Sequence, residues 1–382
     1  MRQLWPLLLA AVLGGCSIFG DEDNTEPPAK LESIDSQVSL RKVWSHDTGK
    51  GTDAQLLKLV PAIDRDSVFV ADRSGAVERL ELDRGRRVWR SKTGAAISAG
   101  PGLGEGLVLV GTSDAELIAL DREDGSERWR IPVSSEVLAV PRVYDDVVVV
   151  QTVDGNLAGY ALEDGRRLWV FDRTVPVLTL RGTSSPLIIG DVVLAGFASG
   201  RLEALDIRSG RHLWEVSVAV PRGRSELDRI VDIDADPVLR GNVLYVASFQ
   251  GRLAAINMDT GQLVWNRDMS AYAGLAVDRR QVYVTDEQSQ VWALDRFSGA
   301  SMWKQDKLLR RMLTGPVLME EYLAVGDFEG YLHLLSRDSG AIVGRVRVDS
   351  KGIQVAPVVS GERLYVLGAG GTLAAYTLEP VD

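Results

Sequence analysis

The chain carries one cysteine, Cys16, in 382 residues. No intramolecular disulfide can therefore form, and a cysteine-built metal site is out of reach. Histidine is nearly as scarce: His46, His212 and His333 lie far apart and at unrelated places in the repeat described below, so no shared metal site is expected. Basic residues number 43 against 53 acidic ones, for a net charge of −10. Nucleic-acid binding and adsorption to anionic lipid both need clustered Lys and Arg, and neither is expected as the main activity. Long helical patterns are also few, while 14 prolines and 38 glycines punctuate the sequence. That balance favours an all-β fold. With 45% apolar and 25% charged residues, a real core can form.

The first residues read as an address. Arg2 precedes an apolar run from Leu4 to Leu13, interrupted by Pro6. This run is too short for ~30 Å of hydrocarbon, so it reads as a signal-peptide core and not as a membrane span. It ends in Leu13-Gly14-Gly15-Cys16, which resembles a bacterial lipobox. Residues 1–15 would then be removed and Cys16 would carry acyl chains, two or more of which hold a protein stably on a membrane. An ordinary signal peptide with a chance cysteine is the alternative. Residue 17 is Ser and not the Asp that marks inner-membrane retention, so the lipoprotein resemblance implies the outer membrane, facing the periplasm. Residues 16–38 read as the lipidated cysteine and a flexible tether, acidic and Pro-containing over 21–30.

From residue 39 to the end, one unit recurs. Tryptophans stand at 44, 89, 129, 169, 214, 265 and 303, and prolines at 61, 101, 141, 186, 237, 316 and 357. From each of the first five prolines to the next Trp of the series is 28 residues; Leu275 replaces proline in the sixth unit, with Trp303 at the same distance. In the seventh unit Gly344 stands where Trp is due. An apolar β-branched run follows each proline position by seven residues, as in VFV 68–70 and VVV 148–150. Gly occurs at 14 residues in six of eight units, with Ala115 and Ser289 as the exceptions, and at 24 residues in all seven complete units. Short β-rich runs between Gly-centred turns predict antiparallel four-stranded blades of a propeller. Proline suits the innermost strand, where a missing donor costs nothing, and Trp the outermost, where it can wedge between blades. The eighth unit ends after three strands near Glu379, while Trp44 stands alone in Ser39–Ser45. An eight-bladed β-propeller closed by its N-terminal strand, spanning 39–382, is therefore predicted.

The repeat, as in Gly251-Arg-Leu-Ala-Ala-Ile-Asn-Met-Asp-Thr-Gly261-Gln-Leu-Val-Trp265, resembles the quinoprotein type over nearly all of 40–379. That resemblance implies a fold and not an activity. Some members are dehydrogenases that hold pyrroloquinoline quinone over calcium, commonly with a vicinal disulfide and long insertions. The disulfide is impossible here and the insertions are short, so no catalytic residues and no cofactor are expected. No phosphate-binding Gly loop and no nucleophile–His–carboxylate set can be picked out. Asp232-Ile-Asp234-Ala-Asp236 is superficially like the start of an EF-hand loop, but Pro237 and Val243 replace the Gly and Glu it needs, so no metal is expected there.

Since the 28-residue core keeps its length, variation falls in the Trp-to-Pro connections. Three are long: 45–60, 170–185 and 215–236. The last two flank the fourth blade and should emerge side by side on one face. Binding often sits on such loops, although tolerated surface insertion is the plainer account. The first of the pair contains Val177-Leu178-Thr179-Leu180-Arg181-Gly182; the second contains Arg222, Arg224, Asp228, Arg229, Asp232 and Asp234. Exposed Leu beside Arg and carboxylates suits protein docking more than a small-molecule pocket. Internal ion pairs of Arg181 or Arg229 with Asp232 and Asp234 are the competing structural role. Signal, lipobox, tether, eight quinoprotein-type blades and the two loop motifs together resemble the BamB family, lipoprotein subunits of the complex that inserts outer-membrane β-barrels. The resemblance implies a non-catalytic scaffold bound to a periplasmic POTRA domain of BamA through Leu178, Leu180, Arg181, Arg229, Asp232 and Asp234. It also implies contact with the other subunits through BamA, and presentation of its surface or blade edges to nascent outer-membrane proteins. A quinone-dependent dehydrogenase, or a propeller binding a ligand at its central channel, is the alternative.

Overall fold

A computed structural model describes residues 26–381. The expected lipidation at Cys16 and the signal segment lie outside the described residues. Eight antiparallel sheets of four strands follow one another around a ring, each running from an inner edge strand to an outer one. Blade one comprises Ala62–Asp64, Ser67–Ala71, Ala76–Glu81 and Arg87–Lys92, and the later blades repeat this order. Six of the seven prolines stand directly before the inner strand of their blade, and Pro101 lies within Ile97–Gly104. The second strand of each blade is an almost fully buried apolar run, because both its faces meet neighbouring blades; Val147–Gln151 is an example. Burial of these runs supplies most of the core.

Closure is as the sequence implies. Val38–Asp47 pairs antiparallel with Thr372–Pro380 and forms the outer strand of blade eight, with Trp44 opposite Ala375. A β-bulge interrupts the outermost strand pair of every blade, next to the Trp position where there is one. A bulge bends a strand and sharpens its twist, which tilts the Trp toward the following blade.

There the Trp meets the glycine of the turn between the third and outer strands of the next blade. Trp44 covers Gly85, Trp89 covers Gly125, and the pairing continues through Trp303 and Gly340. Each of these seven glycines has φ between +65° and +74°, a region that side chains disfavour. A Cβ on Gly125 would stand 2.6 Å from Trp89 Cε3, so the ring needs the bare backbone. Six of the indoles also donate to a carbonyl of that next blade, as Trp89 Nε1 does to Arg122 at 3.0 Å. The two most regular letters of the repeat are thus one interblade contact.

Connections from outer to inner strands emerge on one face, together with the turns between second and third strands. This loop face carries the mouth of the central channel. The connection ahead of blade one departs from the simple ring: Lys58–Leu59 pairs in parallel with Ala99 and Gly100 on the inner edge of blade two, adding a fifth strand there.

Candidate functional site

The two loops flanking blade four do lie side by side. In the first, Ser184 and Ser185 are buried while Val177, at 89% exposed, and Leu178 face solvent. In the second, 221–229 is exposed and includes a single 3-10 turn at Leu227–Arg229. Its other half turns inward. Val231, Ile233 and Ala235 enter the core, and this alternation buries Asp232 between them.

Asp232 is the hinge between the two loops. The Leu180 N–H donates to its Oδ2, while Oδ1 is buried without a hydrogen-bond partner. Burial, reinforced by the neighbouring Asp234 charge, pushes the Asp232 carboxyl up to about 7 against the pull of the Leu180 N–H. Burial likewise pushes Asp234 up to about 6, opposed by the Lys58 ammonium. Asp234 packs against Gly182, where an added Cβ would lie 3.0 Å from its Cγ. Asp236 accepts from the Ser185 N–H at 2.5 Å and from Lys58 Nζ at 2.5 Å, and Lys58 also donates to the Thr183 carbonyl at 3.1 Å. The three aspartates of this stretch therefore hold the first loop from below.

Arg181 takes neither aspartate as its partner. It pairs with Glu136 at 2.7 Å, on the connection into blade three, and donates to the Leu56 carbonyl at 3.3 Å. Arg229 ends the 3-10 turn and stays exposed, away from the buried pair. Of the six expected docking residues, Leu178, Arg181 and Arg229 face solvent; Leu180 is half-buried and bonded to the buried Asp232; Asp234 packs on Gly182. Sequence reasoning missed Leu56, Lys58 and Glu136, and met Asp236 only in the comparison with an EF-hand loop. The length of the 45–60 connection was the available signal, but nothing in its residues showed that it crosses the mouth.

The mouth itself is a cavity of about 1000 Å³. Leu56, Leu180, Phe249, Tyr272, Met312 and Phe328 stand around it, with Lys58, Asp234 and Asp236 among the polar groups. The lining is largely apolar and open to solvent, and is continuous with the two loops.

Each histidine pairs with a buried carboxylate: His46 with Glu78 at 2.7 Å, His212 with Glu203 at 3.0 Å and His333 with Asp327 at 3.0 Å. Glu203, His212 and Glu215 come close enough to hold a cation between them. That position is already neutralised, since Arg173 bridges Glu203 at 2.7 Å and Glu215 at 2.8 Å, and Arg201 adds a second pair.

The molecule is thus an eight-bladed propeller of the quinoprotein type whose distinguishing surface is a loop-lined channel mouth. A family model described as outer membrane protein assembly factor BamB matches residues 73–305 and 298–379. BamB of Pseudomonas aeruginosa is 48% identical, with 97% of each chain covered, and that of Alkalilimnicola ehrlichii 46%, covering 97% of this chain and 95% of the relative. The crystal structure of BamB from Moraxella catarrhalis superposes with a TM-score of 0.82 at 30% identity, covering 88% of this chain and 99% of that one. The chain belongs to the BamB family. A quinohemoprotein alcohol dehydrogenase from Pseudomonas putida has a TM-score of 0.73 at 14% identity over 91% of this chain and 77% of its own, a likeness of fold alone. The BamB relatives are named as assembly factors, not as enzymes.

Proposed function

We propose that this protein is a lipid-anchored, periplasm-facing scaffold of outer-membrane β-barrel assembly, and that its loop face docks on the POTRA region of BamA. The observation that carries this reading is the shape of the first loop. Val177 and Leu178 are exposed apolar side chains held in place from beneath by the Leu180–Asp232 bond, with Arg181 beside them. Preorganised apolar anchors next to an arginine are what a protein interface uses. The Arg181–Glu136 pair is itself partly exposed and worth only about 0–1 kcal/mol, so the guanidinium can exchange partners at little cost. BamA links the scaffold to the other subunits. Barrel precursors are met through the exposed edges of outer strands such as Arg167–Asp172, by strand addition.

The test is binding of the purified chain to the isolated periplasmic region of BamA, by calorimetry and by co-purification from membranes. Leu178→Ala and Arg181→Ala should weaken it while leaving the circular dichroism unchanged. Undiminished binding by both folded variants overturns the docking assignment. Tight uptake of pyrroloquinoline quinone with dye-linked alcohol oxidation would overturn the scaffold reading altogether.

A further inference from the structure

The segment ahead of the propeller has the composition of a slack linker, yet residues 29–37 are bonded along blade seven. The Ala29 N–H donates to the Leu309 carbonyl at 2.9 Å, and the Ala29 carbonyl accepts from Arg311 Nη1 at 2.9 Å. Three residues on, the Glu32 carbonyl accepts from Arg345 Nη1 at 2.9 Å, and its carboxylate accepts from Lys307 at 3.1 Å. Leu31 packs on the buried cluster that contains Leu308, Leu313 and Tyr283. Finally the Gln37 N–H donates to the Val343 carbonyl at 2.9 Å, and the chain turns back as the closing strand.

Two of the cations that hold this segment, Arg311 and Arg345, have partners independent of it. Arg311, only 3% exposed, is paired with Asp327 at 2.7 Å and with Glu329, and lies over the Phe328 ring at 5.1 Å. Arg345 Nε donates to His333 Nδ1 at 3.1 Å, and that ring is itself bonded to Asp327. Two anchored guanidiniums present donors to two strap carbonyls, a prebuilt track and not a chance adhesion. Its ends lie on opposite faces. Leu309 and Arg311 belong to the connection between Ser301–Gln305 and Val317–Met319, on the loop face; Val343 begins the outer strand of blade seven, at the far face.

We propose that residues 26–37 are a fixed strap that makes the upstream chain leave the disk on its loop face, so that a membrane anchor at Cys16 turns this face and the channel mouth toward the lipid surface. The membrane part rests on the reading of Cys16 as the attachment point. Docked, the strap leaves the ten residues 16–25 to bridge the gap, a reach of at most about 35 Å. Released, the 22 residues 16–37 would reach about 75 Å from the far face, and neither face would be preferred.

The test uses the chain from Cys16 onward, its single cysteine coupled to a maleimide lipid in phosphatidylethanolamine–phosphatidylglycerol vesicles, which needs neither native lipidation nor BamA. Hydrogen exchange should show the Ala29 and Gln37 amides slowed at least ~10-fold relative to the free peptide. A genetically encoded fluorophore at Leu227 on the loop face should be quenched by headgroup quenchers more than one at Phe297 on the far face; these sites are matched, at 65% and 66% exposed. Leu31→Asp, or replacement of 26–33 by Gly and Ser, should release the amides and abolish the difference while the circular dichroism of the propeller stays unchanged. Free exchange in the unaltered chain, equal quenching at the two sites, or a difference that survives release overturns the proposal. Loss of BamA binding with these results intact would count only against the docking assignment.

Discussion

Gly344 of blade seven packs directly against Val38, the first residue of the closing strand: a Cβ at 344 would lie 2.7 Å from the Val38 carbonyl oxygen. This is the unit whose tryptophan is missing, and the neighbour explains the loss. Elsewhere each Trp covers a turn glycine of the next blade. Blade eight has no such turn, because its third strand ends at Pro380 and its outer strand begins at Val38, from opposite ends of the chain. Val381 stands where the glycine would be. Without the platform there is no place for the indole, and Val38 occupies the space instead. Gly344→Ala is therefore expected to force the closing strand outward and to cost about 1–3 kcal/mol, read from the midpoint of urea unfolding. An unchanged midpoint would mean that the closing strand yields freely.

The seven intact Trp–Gly pairs lead to a coupled expectation. Trp89→Ala removes a ring that is only 9% exposed and should cost about 3–5 kcal/mol. Gly125→Ala should cost about 1–3 kcal/mol, since its Cβ meets that ring and its φ of +74° disfavours a side chain. In the double variant the ring's share of the Gly125 penalty disappears, while the contact with Ser91 Oγ, also 2.6 Å from the added Cβ, remains. The sum of the single losses should then exceed the measured loss by at least about 0.5 kcal/mol, in a cycle of unfolding free energies. Additive losses would show that ring and turn do not touch in solution.

Ala115 and Ser289 replace the other recurrent glycine, and both keep the left-handed backbone that five of its six glycines have, with φ of +59° and +65°. The backbone there is set by the blade and not by the residue. In blade two the Ala115 carbonyl accepts from the Val133 N–H as the Gly75 carbonyl accepts from Thr93 in blade one. Ala115→Gly should raise stability by about 1 kcal/mol, the relief of αL strain in an alanine less the added freedom of the unfolded chain. Differential calorimetry that finds a lower melting temperature would refute this.

The ring, its blade number and its closure were legible because each depends on local spacing: turn glycines, β-branched runs and a Trp at a fixed distance. The candidate site was legible only in part. Leucines in a polar connection and an arginine beside them mark a surface, and Val177, Leu178 and Arg181 are on it. What spacing could not show is a contact between connections. Glu136, not an aspartate of the second loop, takes Arg181, and Lys58 reaches Asp236 from a connection more than a hundred residues away. The burial of 230–233 and Ala235 was hidden for a similar reason. The Ile-Val-Asp-Ile-Asp-Ala alternation has the pattern of a half-buried strand, but lies in a connection where loop was expected.

The aspartate pair predicts a pH dependence. Both carboxyls are raised above their unfolded values, Asp232 to about 7 and Asp234 to about 6. A raised carboxyl binds its proton more tightly in the folded state, so its stabilising contribution is complete below about pH 4. It is lost as pH rises through about 6 and 7. Asp232→Asn keeps an acceptor for the Leu180 N–H and removes the charge. The melting temperature of the unaltered chain should therefore fall relative to Asp232→Asn between pH 5 and pH 8, by the equivalent of about 1–2 kcal/mol. Parallel pH profiles would show that Asp232 is ionised throughout.

The same residue separates positioning from contact at the proposed docking surface. Leu178 is exposed and the Arg181–Glu136 pair is partly solvated, so Leu178→Ala and Arg181→Ala should shift the melting temperature little, surface changes being usually within about 0.5 kcal/mol. Their expected effect is on BamA affinity, roughly ten-fold or more where the side chain is an anchor, which corresponds to 1.4 kcal/mol. Asp232→Ala behaves differently. It leaves the Leu180 N–H without its acceptor, at about 1–3 kcal/mol, and frees the loop that presents both contact residues. It should lower stability and affinity together, while Asp232→Asn restores most of each near neutral pH. Calorimetric titration and thermal unfolding of the four variants read these two axes separately. If Asp232→Asn loses affinity as fully as Asp232→Ala while keeping its stability, Asp232 touches the partner through its charge and is not a positioning residue.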